Sequence, residues 1–505
     1  MEQANFIPLD PGSHVPLYLQ LRDRLKEMIA TGNLRSGDRL EPTRSFARDL
    51  GVHRTTVEAA YAELESEGLL VGHVGRGTFV AGQMPRRALA APAATASALP
   101  DSFPWQGFFP YTQSSAMADD PLEALMRAAG EQGAISFATA HPPVDVLPLD
   151  DFRRACDRVL RRHGRDVLKP GPAAGYPPLL DMLAQRLHAP AGEITITNGC
   201  QQSLDLLAKV FVSPGQLVMM ENPVYPGALL PFRQAGARII ALPPLEVLPS
   251  VLESQRVRLI AVTPNFQNPT GAVMPLESRH KLLEIARHFQ TPIVENDSYG
   301  MLAFSGKTSP SLKSLDNSAG VIYIGSLSKA GFPGLRLGWC VAPPEVTTRL
   351  RRAKQASDLH TDQFVQAVIC EFGPRLDRAI AAVRATCRAN AATLEREVAR
   401  HFPAEVAWQP PQGGMSVWFR LPSGIAADAV LARAREHRVI FTPGRFFYFQ
   451  DAKPETFRLT FGALTRNEIA RGVKVLGEAI RAEMRHSSNR AQHKKQRVES
   501  GWALV

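Results

Sequence analysis

The sequence predicts two folded units of different class joined by a linker: a small N-terminal unit of three helices closed by a β-hairpin, and a large α/β unit on a mostly parallel sheet. Three observations predict this. A chain of 505 residues is too long for one hydrophobic core and implies two or three domains. The segment up to Val80 carries apolar residues at helical spacing and then short apolar runs punctuated by glycine. Beyond a stretch rich in alanine and proline, continuous apolar runs of strand length alternate with amphipathic helical patterns.

In the N-terminal unit, Leu17, Leu21, Leu25, Met28 and Ile29 fall on one face of a helix ending near Gly32. After the turn Arg35-Ser-Gly-Asp38, Thr43 is expected to cap a short helix from Arg44 to Leu50, with Gly51 stopping it. A third helix is predicted from His53 to Glu67, with Val57, Ala60, Tyr61 and Leu64 turned inward. Helix, glycine turn, helix is the helix-turn-helix pattern, whose second member lays its N-terminal residues in the major groove of duplex DNA. Here these are His53, Arg54, Thr55 and Thr56. Gly68 to Val80 reads as a hairpin wing carrying Arg76, and Arg44 stands at the start of helix two. A helical bundle used for protein contacts fits the same three-helix pattern.

Charge does not decide between these readings. The chain carries a formal charge of +10, yet Met1 to Val80 holds nine Lys/Arg against eleven Asp/Glu. Glu58, Glu63, Glu65 and Glu67 are expected further along the third helix or away from the groove. Five Lys/Arg from Arg485 onward, against Glu499, make a local basic cluster, and residues 486–505 are expected as a solvated, disordered tail.

At 45% hydrophobic and 21% charged, the composition is that of a globular protein, with no apolar run near the roughly 18 residues a membrane span needs. The opening Met-Glu-Gln-Ala-Asn-Phe shows no basic patch followed by an apolar core, and five unpatterned cysteines suit a reducing compartment. A cytoplasmic location and no membrane partner are expected. No CxxC pair or HxxxH spacing argues for a metal, so none is expected. Four segments follow: residues 1–82, the DNA-binding unit; 83–118, an Ala/Pro-rich linker whose Trp105, Phe108 and Phe109 are expected to dock on the large domain; 119–485; and the tail.

In the large unit, strands are predicted at Glu193–Thr197, Gln216–Met220, Arg238–Leu242, Leu259–Thr263, Pro292–Glu295 and Val321–Ile324, with a helix from Gln202 to Phe211. Polar residues cluster just after these strands, where open α/β sheets bind ligands. The run Ser326-Leu-Ser-Lys329-Ala-Gly-Phe-Pro-Gly-Leu-Arg336-Leu-Gly338 sets one lysine between hydroxyls and an arginine in a glycine-bent turn. Pyridoxal phosphate needs an amine to hold its aldehyde as a Schiff base, and hydroxyls with a fork-shaped cation for its phosphate. Lys329, Ser326, Ser328 and Arg336 supply both. Asn198-Gly199-Cys200-Gln201 follows a strand and opens a helix, so its free amides suit a phosphate. Asn268, in Asn-Pro-Thr-Gly271, suits the phenolic oxygen of the ring, and Asp297, after the strand at 292–295, suits the pyridine nitrogen.

Residues Val15–Gln20, Gly37–Leu40, Leu50–Val57, Leu64–Leu70 and Gly75–Val80 resemble the GntR-type winged helix-turn-helix. One departure is Leu40-Glu41-Pro42, where relatives run Leu-Pro-Ser. From Asp119 to Arg485 the segments resemble fold type I aminotransferases, and the pairing resembles the MocR subfamily of bacterial regulators. That resemblance implies a large domain with a small C-terminal α+β subdomain, a homodimer and pyridoxal 5'-phosphate. It implies Lys329 as internal aldimine, Asp297 at the pyridine nitrogen, Asn268 and Tyr299 at the phenolic oxygen and Tyr225 stacked on the ring. Gly199, Cys200, Gln201, Ser326, Ser328 and Arg336 form the phosphate cup, and Arg458 grips an amino acid carboxylate. The subunit-bridging tyrosine of relatives is missing or displaced in Lys169-Pro-Gly-Pro-Ala-Ala-Gly-Tyr176, and their Leu-Arg pair is Leu179-Leu180. The expected function is a regulator of double-stranded promoter DNA that senses pyridoxal phosphate, or a small amino acid or amine, at Lys329. The alternative is an active aminotransferase that carries a DNA-binding module.

Overall fold

A computed structural model describes residues 9–10, 16–30, 33–34, 37–66, 68–73, 77–81, 121–306 and 309–501. The chain divides into two compact units, Met1–Ala118 and Asp119–Val505. Arg76 and the expected docking residues Trp105, Phe108 and Phe109 lie outside the described residues.

In the first unit, α1 (Leu17–Ala30), α2 (Thr43–Asp49) and α3 (Arg54–Ser66) precede an antiparallel hairpin of β1 (Leu70–His73) and β2 (Gly77–Val80). The helical spacing puts Leu21, Leu25, Ile29, Phe46, Val57, Ala60, Tyr61 and Leu64 into one core. The Tyr61 hydroxyl donates to the Glu41 carbonyl at 2.9 Å and ties α3 to the approach to α2. Gly51, at φ +67, turns the chain between α2 and α3 in the left-handed region that glycine occupies without strain. Thr43 does not cap α2. It is the first helical residue, preceded by Pro42, whose ring presets an extended entry (φ −56, ψ 139) and offers no side-chain acceptor.

In the second unit the strands are β3 (Ile135–Ser136), β4 (Ile194–Thr197), β5 (Leu217–Met220), β6 (Arg238–Ala241), β7 (Val257–Val262), β8 (Ile293–Asn296), β9 (Val321–Ser326) and β10 (Gly338–Val341). They continue as β11 (Ala407–Trp408), β12 (Ser416–Arg420), β13 (Val439–Ile440), β14 (Thr442–Pro443) and β15 (Thr456–Thr460). Seven of them form one sheet in the order β4-β10-β9-β8-β7-β5-β6. Only β10 runs antiparallel, to both β4 and β9. Sequence reasoning missed β10, because Gly-Trp-Cys-Val is short and follows directly on the lysine run. The strands read as unbroken apolar runs because helices cover both faces, giving one core around Leu207, Phe232 and Ile324 and another around Leu183, Trp339 and Phe372.

A second sheet, β11-β12-β15-β14, packs with the pair β3–β13 and helices from Gln363 to His401 and from Arg466 to Gly501 into a third core. The helix Gln363–His401 contributes Ala367 to Ile380 to the core around Phe372, and Val383 to Val398 to the third core. Of the expected tail, residues 486–501 continue the helix in the backbone, and 502–505 lie outside the described residues. No proline or glycine falls between Gly477 and Gly501, so nothing in the sequence ends the helix earlier.

Leu64 is fully buried in the small core of the first unit. Leu64→Ala is expected to destabilise that unit by about 3 kcal/mol, seen as a lowered thermal transition in circular dichroism with the large unit's transition unmoved.

Candidate functional site

β4, β5, β7, β8 and β9 end on one edge of the large sheet, and the segment after each contributes to a single cavity of about 500 Å³. Cys200 and Gln201 follow β4; Tyr225 follows β5; Asn268 follows β7; Ser298 and Tyr299 follow β8; Ser328 and Lys329 follow β9. Ala138–His141, Thr442, Phe447 and Arg458 of β15 line the same cavity.

One end of it is built for an anion. The helix Cys200–Phe211 opens there with no side-chain cap, leaving its first amide groups for a ligand. Arg336 donates from Nη1 to Ser328 Oγ and from Nη2 to the Asn198 carbonyl, each at 3.2 Å. A Cβ on Gly199, at φ +82, would meet Arg336 Nη2 at 2.7 Å, so glycine is required for the guanidinium to approach the turn. Arg336 itself sits at φ +52, a left-handed conformation costing about 1–2 kcal/mol in a residue with a Cβ. Ser326 Oγ accepts the Ser328 N–H at 2.9 Å and shapes the turn before the lysine. Burial pushes the Cys200 thiol up to about 11, so it stays protonated; its sulfur accepts from Ser298 Oγ at 3.2 Å.

At the centre, Lys329 Nζ donates to the Ala140 carbonyl at 2.6 Å and lies 5.9 Å from the centre of the Tyr299 ring. Burial lowers its pKa; Tyr225 opposes the shift, while Arg458 and Arg336 add to it. The neutral, nucleophilic amine is thereby favoured. Tyr225, 46 % exposed, stands at the mouth.

At the other end, Asn268 Nδ2 lies 3.4 Å from the Tyr299 hydroxyl, and Asn268 Oδ1 accepts from Arg458 Nη1 at 2.9 Å. Arg458 is buried beside the Phe447 ring, with Nη2 donating to Thr442 Oγ1 and the Ala138 carbonyl. Burial brings its pKa down to about 10, and its Nε has no hydrogen-bond partner among the described residues. Asp297 sits behind the cavity wall, accepting from Asn265 Nδ2 and the Tyr323 hydroxyl, both at 2.9 Å. Burial raises its pKa, and these two hydrogen bonds hold it back. Asn265 is fixed in turn by Arg279 Nη2 at 2.7 Å, a fully buried arginine that also donates to three backbone carbonyls.

Sequence reasoning missed Asn265, Arg279 and Tyr323. Asn265 stands three residues before Asn268 in the same strand-end turn, a signal that was available; Tyr323 lies inside an apolar strand and carries none. Tyr176 does not line the cavity: its N–H donates to Gln366 Oε1 at 2.7 Å and its ring meets His163 edge-on.

On the first unit, Arg44, His53, Arg54 and Thr55 are exposed and Thr56 half-buried. His53 Nδ1 accepts from the Thr55 N–H at 3.4 Å, closing the start of α3. Glu58 is not segregated from the groove residues as expected. One turn along α3, it pairs with Arg54 at 2.7 Å, because residues four apart share a helix face. Among the described residues, no helix is long and apolar enough to cross a membrane.

Comparison with known proteins places both units. Residues 134–476 match the model of aminotransferase class I and II, and residues 17–80 that of the bacterial regulatory proteins of the gntR family. The chain is 38% identical over 374 residues to 2-aminoadipate transaminase of Thermus thermophilus, spanning 71% of this chain and 93% of that protein. Along nearly its whole length it is 29% identical to the HTH-type transcriptional regulator TauR of Rhodobacter capsulatus, covering 94% of this chain and 98% of that one. It is also 32% identical over 372 residues to the Probable rhizopine catabolism regulatory protein MocR of Rhizobium meliloti, covering 72% of this chain and 73% of that protein. Among solved structures, LysN, the α-aminoadipate aminotransferase of Thermus thermophilus complexed with N-(5'-phosphopyridoxyl)-L-leucine, superposes with a TM-score of 0.71 at 35% identity, covering 76% of this chain and 99% of that one. Pyridoxal phosphate is the cofactor this family implies, and an amine, an uncapped helix start, a glycine cradle and a forked cation in one cavity fit it. With a GntR-type helix-turn-helix ahead of a fold type I domain, the chain belongs to the aminotransferase class I and II family and, within it, to the MocR-type regulators.

Proposed function

We propose that this protein is a cytoplasmic, homodimeric regulator that binds promoter DNA through its first unit and senses pyridoxal phosphate, or an amino acid or amine that reacts with it, in its second. The observation that carries this reading is the desolvated amine of Lys329, set between an anion cup and the buried Arg458 on a chain that also bears a DNA-binding head. Bound pyridoxal phosphate supplies an aldehyde that condenses reversibly with primary amines.

The side chains then divide the work. Arg336, Ser326, Ser328 and the amides of Gly199, Cys200 and Gln201 take the phosphate. Tyr225 covers one ring face, Asn268 and Tyr299 meet the phenolic oxygen, and Asp297 is the partner of the pyridine nitrogen, steered by Asn265 and Tyr323. Lys329 offers the neutral amine. Arg458 takes the carboxylate of an amino acid through its forked donors. An effector controls DNA binding only by its differential affinity for two arrangements of the protein, and the coupling is reciprocal. In a dimer, two α3 helices read two half-sites through His53, Arg54, Thr55 and Thr56, with Arg44 at the phosphates and Arg76 from the wing.

Purified protein mixed with pyridoxal phosphate is expected to gain a near-visible absorption band that Lys329→Ala lacks, while the variant keeps its fold. Rapid release of keto acid from amino acids at metabolic rates favours the aminotransferase reading instead. Because the Lys329 pKa lies below the ordinary lysine value, a larger share of its amine is neutral at any pH under that value. Pyridoxal phosphate followed by borohydride is therefore expected to label Lys329 at pH values where the exposed Lys169, whose pKa the Asp166 carboxylate holds above the ordinary lysine value, stays unlabelled, read by peptide mass spectrometry. On DNA, Arg54→Ala is expected to weaken promoter binding about tenfold. Glu58→Gln frees Arg54 from its exposed partner and strengthens binding about twofold. Electrophoretic retardation at fixed salt checks both.

A further inference from the structure

Behind the anion cup, outside the cavity lining, lies a partly buried polar cluster that the functions above leave unused. Lys354 is fully buried on the helix Pro344–Asp358. Its Nζ contacts both Asp358 oxygens, at 3.0 and 2.9 Å, and Gln202 Oε1 at 3.0 Å. Asp358 Oδ2 also accepts from Asn198 Nδ2 and Gln202 Nε2, each at 2.7 Å. Gln202 Oε1 accepts the backbone N–H of Asn198 at 2.8 Å, and the Asn198 carbonyl accepts Arg336 Nη2 at 3.2 Å. A continuous chain of bonds thus runs from the buried ammonium to the guanidinium of the cup.

Two physical points make this more than helix packing. A lysine removed from water is costly unless paired, and an apolar residue would hold these two helices together at lower cost. Its partners are also not spread over the helix interface: Asn198 and Gln202 flank Gly199, Cys200 and Gln201, the residues whose free amides face the anion. Asn198 and Gln202 fix the turn from both sides, while Gly199 between them is the residue freest to move.

We infer that Lys354, Asp358, Gln202 and Asn198 are positioning residues for the phosphate turn, holding the first amides of the helix Cys200–Phe211 and Arg336 in the geometry that receives a phosphate. This rests on the reading that the phosphate of pyridoxal phosphate occupies the cup. None of the four lines the cavity. They act by removing the disorder the turn would otherwise lose on binding.

The test compares two aldehydes that differ only in the phosphate. Wild type, Asp358→Asn and Asn198→Ala, as full chains freed of cofactor, are titrated with pyridoxal phosphate and with pyridoxal by absorption, with circular dichroism to check the fold. Asp358→Asn strips the charge facing Lys354. Asn198→Ala removes the turn's side-chain bond to Asp358 while leaving the ion pair and the backbone bonds of Asn198 intact, so it decides the matter if the first variant does not fold. The expected result is at least about tenfold weaker binding of pyridoxal phosphate, with pyridoxal binding unchanged. Variants that bind pyridoxal phosphate as wild type does, or that lose both aldehydes equally, overturn the inference. A wild type that binds neither aldehyde overturns the cofactor reading itself, and this inference with it.

Discussion

Lys329 lines the cavity half-buried, with Arg336 and Arg458 among the charges acting on its Nζ. A third cation so placed is unfavourable in low dielectric, and the amine yields by losing its proton more readily, since a guanidinium is far harder to deprotonate. Its hydrogen bond to the Ala140 carbonyl orients it. The rest of the site fits around that arrangement: Arg336 is held by a serine hydroxyl and two carbonyls, Arg458 by Asn268, Thr442 and a carbonyl, and, among the described residues, neither by a carboxylate.

The acid of the site is kept apart. Asp297 lies behind the wall with hydrogen bonds to each oxygen, while Glu295 nearby is pushed up to about 7 by burial and by Asp297 itself. Arg279 is placed to moderate both carboxylates, yet it bonds to Asn265 and carbonyl groups rather than to either of them. A cation-lined front and an acid-bearing back give the cavity a polarity along its length, matched to a ligand that is anionic at one end and basic at its ring.

Much of this was legible in the sequence, for identifiable reasons. Parallel strands buried on both faces leave long apolar runs, so six of the seven strands of the main sheet stood out; β10 did not, being four residues that continue a loop full of chemistry. Lys329, Ser326, Ser328 and Arg336 were readable because they crowd into one run, whereas Asn265, Arg279 and Tyr323 act on Asp297 from three other elements and share no spacing with it. In the first unit, periodicity marked the core, but not the Arg54–Glu58 pair, since an exposed ion pair leaves the apolar pattern unchanged. The helical tail was missed because charge was read as disorder where no residue interrupts the helix.

The helix Gln363–His401 joins two cores in a single stroke, its first half embedded beside the main sheet and its second beside β12 and β15, the strand that carries Arg458. At 39 residues it extends about 58 Å. Pro374 interrupts its backbone ladder once, within the half that packs on the main sheet, leaving the Cys370 carbonyl without its usual donor. Should Arg458 hold a carboxylate as proposed, β15 and the main sheet would be tied together by this one helix, whose backbone ladder is broken at Pro374.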